Sequence, residues 1–358
     1  MLRWSLALLA LAIAVAPALR KRAAGPCPEL MDAPARSMRG RVAIVTGANT
    51  GIGKETARNL AERGGRVILA CRSVEKAKVA IAEIERAMAS ESPSGGYPIL
   101  DMQAMRLDLS SLDSVRAFVA AFEASGERNL DVLVLNAGVM GVPASLTMRV
   151  NHVGHFLLAN LLLPRMARTA AHRKFEGARA PRVVVVSSDF QKYGDTARLA
   201  HLARYVDPSG GVEFANTHEA YCDSKLANVL FASELQRRAD AHFGAGTLVS
   251  VSLHPGGIIT EITRNWIPMW LHPFVRFTSL SFLKTTSEGA MTTTHAALAA
   301  ELEPPRPGGL FYDDCAAVDS NAGGAFGANA ANATASRLLW EDTAALVGGA
   351  FDAGASAA

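Results

Sequence analysis

The stretch Arg41–Lys54, RVAIVTGANTGIGK, decides the fold. A run of β-branched residues passes into glycines spaced GxxxGxG, and the residues after them carry a helical pattern. Strand, glycine turn and helix in that order suit a dinucleotide. Glycines allow the turn and a close backbone approach, while the helix start offers free N–H groups and a positive dipole end. Gly47, Asn49, Thr50, Gly51, Ile52 and Gly53 are therefore candidate nucleotide contacts. A glycine-rich β–α turn that binds nothing is the alternative, and the positions further on bear on the choice.

Along the rest of the chain, short apolar runs alternate with helical stretches. Strands are predicted at Arg41–Thr46, Arg66–Ala70, Met102–Leu107, Asp131–Leu135, Arg182–Ser187, Leu248–Leu253 and Gly309–Tyr312. Helices are predicted at Gly51–Arg63, Val74–Ala89, Leu146–Ala167 and Glu219–Ala241. Two more open on caps: Ser110 with Asp113, running to Ala124, and the Thr285/Glu288 capping box, running to Ala299. The apolar run RVVVVS is expected at the centre of a parallel sheet buried on both faces. The repeated alternation predicts an α/β fold, a Rossmann-type doubly wound parallel sheet with right-handed crossovers. It forms a single domain over 40–316, with a hydrophobic anchor or signal at 1–22, a Pro/Ala-rich linker at 23–39 and a C-terminal extension at 317–358. Residues 321–335 are low-complexity and read as a mobile surface stretch containing the sequon Asn332-Ala333-Thr334.

The 358 residues include 49% hydrophobic and 19% charged side chains, which excludes general disorder. Four cysteines without a CxxC pair exclude a disulfide scaffold and a zinc ribbon. The net charge of +3 is unevenly spread. Residues 1–41 hold seven basic and two acidic side chains and the rest hold 29 and 31, so no nucleic-acid partner is expected. The leader contains Trp4–Leu19, 16 uncharged residues; as a helix these would span about 24 Å against a ~30 Å hydrocarbon core. Arg20-Lys21-Arg22 after the run favours an uncleaved anchor, with the body on the cytoplasmic side of the endoplasmic reticulum. Small residues at Ala14/Ala16 and Ala16/Ala18 leave a cleaved secretory signal open; an organelle transit peptide and a buried helix are further readings.

About 20 residues after the glycine loop, an NAD-binding chain usually offers an acid to the ribose 2′-hydroxyl. This chain has Ala70-Cys71-Arg72-Ser73 there. The Arg72 guanidinium can pair with a 2′-phosphate that a carboxylate would repel, so NADP(H) is the expected cofactor; a merely solvated arginine is the alternative. Further on, Tyr221 and Lys225 lie four apart in YCDSK, on one helix face. Ser188 ends RVVVVSS, Asn151 lies in VNHVGHFLL, and Asn136-Ala137-Gly138 follows the fourth strand. Together with TGANTGIG these residues resemble the short-chain dehydrogenase/reductase family over roughly 40–315. NHVGHFLL, LHPGGI, GLFYDDC and RLLWED are most similar to its retinol-dehydrogenase and WW-domain-oxidoreductase branch.

The resemblance implies that Tyr221, Lys225, Ser188 and Asn151 are catalytic. It adds Asp108, Leu109, Asn136, Ala137, Gly138, Pro255 and Gly256 to the cofactor contacts, along with Tyr221 and Lys225. A free tyrosine has a pKa of ~10 and is only about 0.1% ionised at pH 7. Lys225, with the oxidised nicotinamide, is expected to bring that pKa toward neutrality, so that Tyr221 gives or takes the proton. Ser188, the second of the Ser187–Ser188 pair, would hold the substrate oxygen. Asn151 would carry a water-linked proton relay or, like other helix asparagines, bond backbone. His152 and His155 read as packing, no metal site is expected, and GxSxG is absent.

The chain departs from the family pattern in places. Ser188 and Tyr221 stand 33 residues apart, and the extra stretch, 190–218, reads as a polar surface excursion at the site's rim. Thr260 resembles a contact to the cofactor carboxamide. Asn265–Leu283, with Trp266 and Trp270, reads as an apolar lid, a core helix or a membrane-dipping patch. The expected activity is NADPH-preferring interconversion of carbonyl and alcohol on a lipophilic retinoid, steroid or fatty aldehyde, by a membrane-associated chain; a homodimer is left open. A weakly active NADP(H)-sensing interaction protein and a light-dependent protochlorophyllide-reductase-like enzyme are the alternatives.

Overall fold

A computed structural model describes residues 27, 37–91, 99–175, 179–207, 214–258, 284–302, 308–318 and 326–352. The chain alternates β1 (Val42–Thr46), α1 (Gly51–Glu62), β2 (Arg66–Cys71), α2 (Val74–Glu91), β3 (Asp101–Arg106), α3 (Leu112–Ala124) and β4 (Val132–Leu135). Then come α4 (Ala144–Met148), a π turn at Arg149–Val153, α5 (Gly154–Phe175), β5 (Arg182–Val186) and a 3-10 turn at Asp189–Tyr193. Two short helices, α6 (Thr196–Leu199) and α7 (Leu202–Val206), lead to the long α8 (Thr217–Phe243). β6 (Val249–His254), α9 (Thr286–Leu298), β7 (Phe311–Asp313), β8 (Ala316–Ala317) and α10 (Ala333–Val347) follow.

The sheet order is β3-β2-β1-β4-β5-β6-β7-β8, parallel throughout except for the antiparallel β7–β8 edge. The winding direction reverses between β1 and β4, which opens a crevice beyond the strand ends, the usual place for a ligand in such sheets. Each face carries its own core, because successive strand residues point to opposite sides. Ile44, Leu133 and Val183 pack with Phe118, Phe156 and Leu226 on one face. Ala43, Val45 and Val184 pack with Leu60, Ala77 and Leu298 on the other. Asp131, fully buried just before β4, accepts from the Val42 amide (2.9 Å) and from Arg173 Nε (2.8 Å), which ties β1 to the end of α5.

Several expectations need correcting. The cap of α3 is Ser111, whose Oγ accepts from the Ser114 amide at 3.2 Å; Ser110 instead donates to the Asp108 carboxylate. The expected single helix 146–167 is two helices around a π turn. Residues 190–218 are not simply a surface excursion, since Leu199, Leu202 and Tyr205 are buried in the core. The stretch 321–335 contains buried Phe326 and Ala330, and Asn332 caps α10 by accepting from the Ala335 amide. Polar and small residues hid these anchors, because their partners lie far away in sequence. Cys27 and Cys315 form a disulfide (Cα–Cα 5.1 Å) although no spacing announces it, while Cys71 and Cys222 are free and buried. Among the described residues no helix is long and apolar enough to cross a membrane; Trp4–Leu19, Thr260 and Asn265–Leu283 lie outside the described residues.

Residues counted as an extension contribute to the core through α10. Trp340 is buried, stacked on Phe231 of α8 (5.9 Å between centroids) and edge-on to Phe156 of α5 (4.8 Å). Trp340→Ala should therefore cost about 3–5 kcal/mol of unfolding free energy, measured by denaturant titration; a loss under 1 kcal/mol would mean that α10 is dispensable.

Candidate active site

Beyond the carboxyl ends of β1, β2, β4 and β5 lies one cleft of about 620 Å³. Its floor is the β1–α1 loop. Gly47 adopts φ +67°, and a Cβ there would stand 3.0 Å from Ala137; a Cβ on Gly53 would run into Asn136 Nδ2 at 2.4 Å. Only glycine permits this approach of loop to strand end. Thr50 caps α1 without a side-chain hydrogen bond, so the first helical N–H groups face the cleft uncovered by their own cap. Gly47, Asn49, Thr50, Gly51, Ile52 and Gly53 all line it, which is the cradle a pyrophosphate requires. Arg72, exposed at the end of β2, and Asp108 and Leu109, after β3, line the same end. Burial pushes the neighbouring Cys71 thiol up to about 11, so it stays neutral.

The Asn136-Ala137-Gly138 turn is held by a residue that sequence reasoning passed over. Thr46 Oγ1 accepts from the amides of Asn136 (2.9 Å) and Ala137 (3.0 Å). Its own proton has two acceptors in reach, the Val134 carbonyl at 3.3 Å and His155. Burial lowers that imidazole to about 4, so it is neutral; Nδ1 lies 3.1 Å from the Asn151 carbonyl and must donate to it. Nε2, 2.9 Å from Thr46 Oγ1, is then the bare acceptor. His155, read as packing, is thus a buried hydrogen-bond link; the threonine opening TGANTGIG was the available signal.

At the other end of the cleft, α8 presents Tyr221 and Lys225 one turn apart. A capping box at Asn216 and Glu219 starts this helix, two residues before the predicted position. Ser188 lines the cleft beside Tyr221 and favours its ionised form, while its Oγ accepts from the Phe190 amide at 3.3 Å. Ser187 donates to the Lys225 carbonyl at 2.7 Å, so its hydroxyl is used within the scaffold. Lys225 Nζ donates to Val186 O (3.2 Å) and stands 5.5 Å from the Tyr221 ring centre. Burial and not Lys225 sets the direction at Tyr221. Burial pushes the phenol up to about 12, against the smaller opposing pull of Ser188, and brings Lys225 down to about 8. Loss of water outweighs the neighbouring charge here.

Asn151 does not line the cleft. Its Oδ1 accepts from the Val139 amide (2.8 Å), and its Nδ2 donates to Val139 O and Ser224 Oγ, both at 3.0 Å. Pro255 and Gly256 close the cleft from β6. Met140, Val142, Val150, Phe190 and Ile258, none of them singled out from sequence, add an apolar lining to the cleft, with Phe190 edge-on to Tyr221. No group of three or more His, Cys, Asp or Glu among the described residues could hold a metal.

The short chain dehydrogenase family model matches residues 41–201. Retinol dehydrogenase 11 from Homo sapiens is 39% identical over 348 residues, 93% of this chain and 92% of that protein. The chain belongs to the short-chain dehydrogenase/reductase family. Retinol dehydrogenase 12 from Mus musculus is 41% identical, covering 84% of each chain. Dehydrogenase/reductase SDR family member 13 from Bos taurus is 40% identical, covering 78% of this chain and 67% of the other. Among solved structures, an uncharacterised protein from Mycobacterium Paratuberculosis superposes with a TM-score of 0.61 at 28% identity, covering 88% of this chain and 96% of its own. The Pseudomonas aeruginosa RhlG/NADP active-site complex superposes at 0.57 with 22% identity, covering 78% and 96%, a likeness of fold. Tyr221 and Lys225 thus stand in a cleft where burial disfavours the charge of each.

That arrangement has a measurable cost. Between pH 8 and its ordinary value of 10.5, Lys225 has lost its proton in the folded chain but keeps it in the unfolded one. Stability therefore rises with pH through that window, and the full penalty applies below pH 8. Lys225→Met should stabilise the nucleotide-free protein at pH 7 by on the order of 3 kcal/mol, with the gain vanishing above pH 10.5. Paired denaturation curves at pH 7 and 10.5 test this; a gain that persists at high pH would assign it to packing instead of charge.

Proposed function

We propose that the chain is an NADPH-preferring oxidoreductase interconverting carbonyl and alcohol groups on a lipophilic substrate. One observation carries the reading: Tyr221, Lys225 and Ser188 line the same cleft as the glycine loop, together with apolar side chains. A nicotinamide in this cleft supplies or accepts hydride. Tyr221, protonated at neutral pH, gives its proton to the carbonyl oxygen in reduction and takes it back in oxidation. Ser188 donates to the same oxygen and fixes its position. Lys225 contributes positive charge beneath the phenol and a donor for the nicotinamide ribose. Asn151 joins the cleft only indirectly, through Val139 and Ser224. Arg72, at the end of β2, supports a 2′-phosphate and hence NADPH. Relatives named retinol dehydrogenases, with the apolar lining, support a retinoid, steroid or fatty-aldehyde class.

A carbonyl and alcohol panel run with both nicotinamides tests the reading. NADPH should exceed NADH at least tenfold in kcat/KM, and Tyr221→Phe should lower kcat at least a thousandfold while NADPH binding stays within a few-fold. A preference for NADH, or a Tyr221→Phe variant of near-normal rate, would refute it.

We further propose that residues 4–19 hold the body at a membrane. The basic residues after that run favour a cytoplasmic body, but the Cys27–Cys315 bridge favours the lumenal side, where disulfides persist. The exposed sequon asparagine, Asn332, tells the two apart. A lumenal body should lose mass on glycosidase treatment of microsomes and resist added protease; a cytoplasmic one should do neither.

A further inference from the structure

Asp223 lies inside the YCDSK motif, two residues from Tyr221, yet it does not line the cleft. Its carboxylate has no exposure at all. A buried carboxylate is tolerated only when paired and hydrogen-bonded, and every partner here comes from one segment. Asp223 accepts from the Asp195 amide (2.7 Å), from Arg198 Nε (2.7 Å) and Nη2 (3.0 Å), and from the Tyr205 hydroxyl. Asp195, Arg198 and Tyr205 belong to the chain that leaves β5 directly after Ser188 and returns to α8 at Asn216. Asp195 in turn caps α6, accepting from the Ala197 amide at 2.8 Å.

The same segment covers the phenol. Its first turn runs along α8 so closely that a Cβ on Gly194 would stand 2.6 Å from Leu226 Cβ and 2.9 Å from the Cys222 carbonyl. That approach places the Phe190 ring edge-on to Tyr221 (5.9 Å between centroids) and to His218 (5.8 Å), on the wall of the cleft. One helix therefore carries the proton donor on one side and, on another, the anchor of the loop that walls it.

We propose that Asp223 is a positioning residue for substrate selection: through Asp195, Arg198 and Tyr205 it holds the 189–206 segment, and with it Phe190, as the wall of the substrate end. The wall selects lipophilic carbonyl compounds by their width next to the reacting carbon. The proposal rests on the carbonyl–alcohol reading of the cleft.

The test uses the full chain with NADPH and a series of aldehydes from slim linear to broad cyclic ones, with kcat and KM measured for each. Phe190→Ala should raise the ratio of cyclic to linear kcat/KM at least tenfold. Asp223→Asn, which removes charge but little volume, should move the same ratio the same way at least threefold, chiefly through KM, while NADPH binding stays within twofold. An unchanged ratio, or a uniform fall in kcat across the series, would overturn the proposal. Arg198→Gln lies off α8 and should shift the ratio likewise if Asp223→Asn fails to fold. Trypsin cleavage after Arg204 gives a readout independent of turnover: it should be at least tenfold faster in the Asp223 or Arg198 variant than in wild type, and equal rates would refute the anchoring. A wild type without turnover on any carbonyl and either nicotinamide would sink the carbonyl–alcohol reading and the selection role together, while the cleavage rates still decide the anchoring.

Discussion

Tyr221 and Lys225 stand one turn apart on α8, and both have lost most of their contact with water. That desolvation is the constraint around which the rest of the site is arranged. It holds the phenol in its protonated form and makes the ammonium expensive, so neither group sits there for stability. Their surroundings supply only partial compensation: Ser188 for the phenol, the Val186 carbonyl for the ammonium. The glycine loop places its helix start in the same cleft.

The scaffold meets this constraint by using polar side chains as internal braces. Thr46 accepts from the amides of Asn136 and Ala137 and turns its own hydroxyl proton toward a neutral His155 and the Val134 carbonyl, which fixes the β4 end against the β1 end. Asn151 spends its whole amide on Val139 and Ser224, at a π turn that interrupts the α4–α5 run. Such turns are uncommon and concentrate near functional sites. Here the turn places a brace between Val139 at the cleft edge and Ser224 on α8.

Helix α8 carries an unusual share of these duties. One face presents the phenol and ammonium, and another anchors the segment between Ser188 and Asn216 through Asp223. A third receives Trp340 from α10, so the C-terminal residues are part of the core that stiffens the helix. Cys27 is joined to Cys315 between β7 and β8, so the chain before β1 and the end of the sheet are covalently connected.

Much of this was legible in the residues. The strand–glycine–helix order of Arg41–Lys54, the spacing of Tyr221 and Lys225 and the place of Ser188 after an apolar strand are local patterns. Local patterns survive without coordinates because backbone turns, helix faces and strand ends depend on near neighbours in sequence. Tertiary structure alone decided the balance between burial and charge at Tyr221, the use of Asn151 and His155 as braces, the Cys27–Cys315 pairing and the burial of Tyr205 and Trp340. Each depends on groups tens to hundreds of residues apart, and desolvation is a property of the assembled surroundings that no single stretch of chain contains.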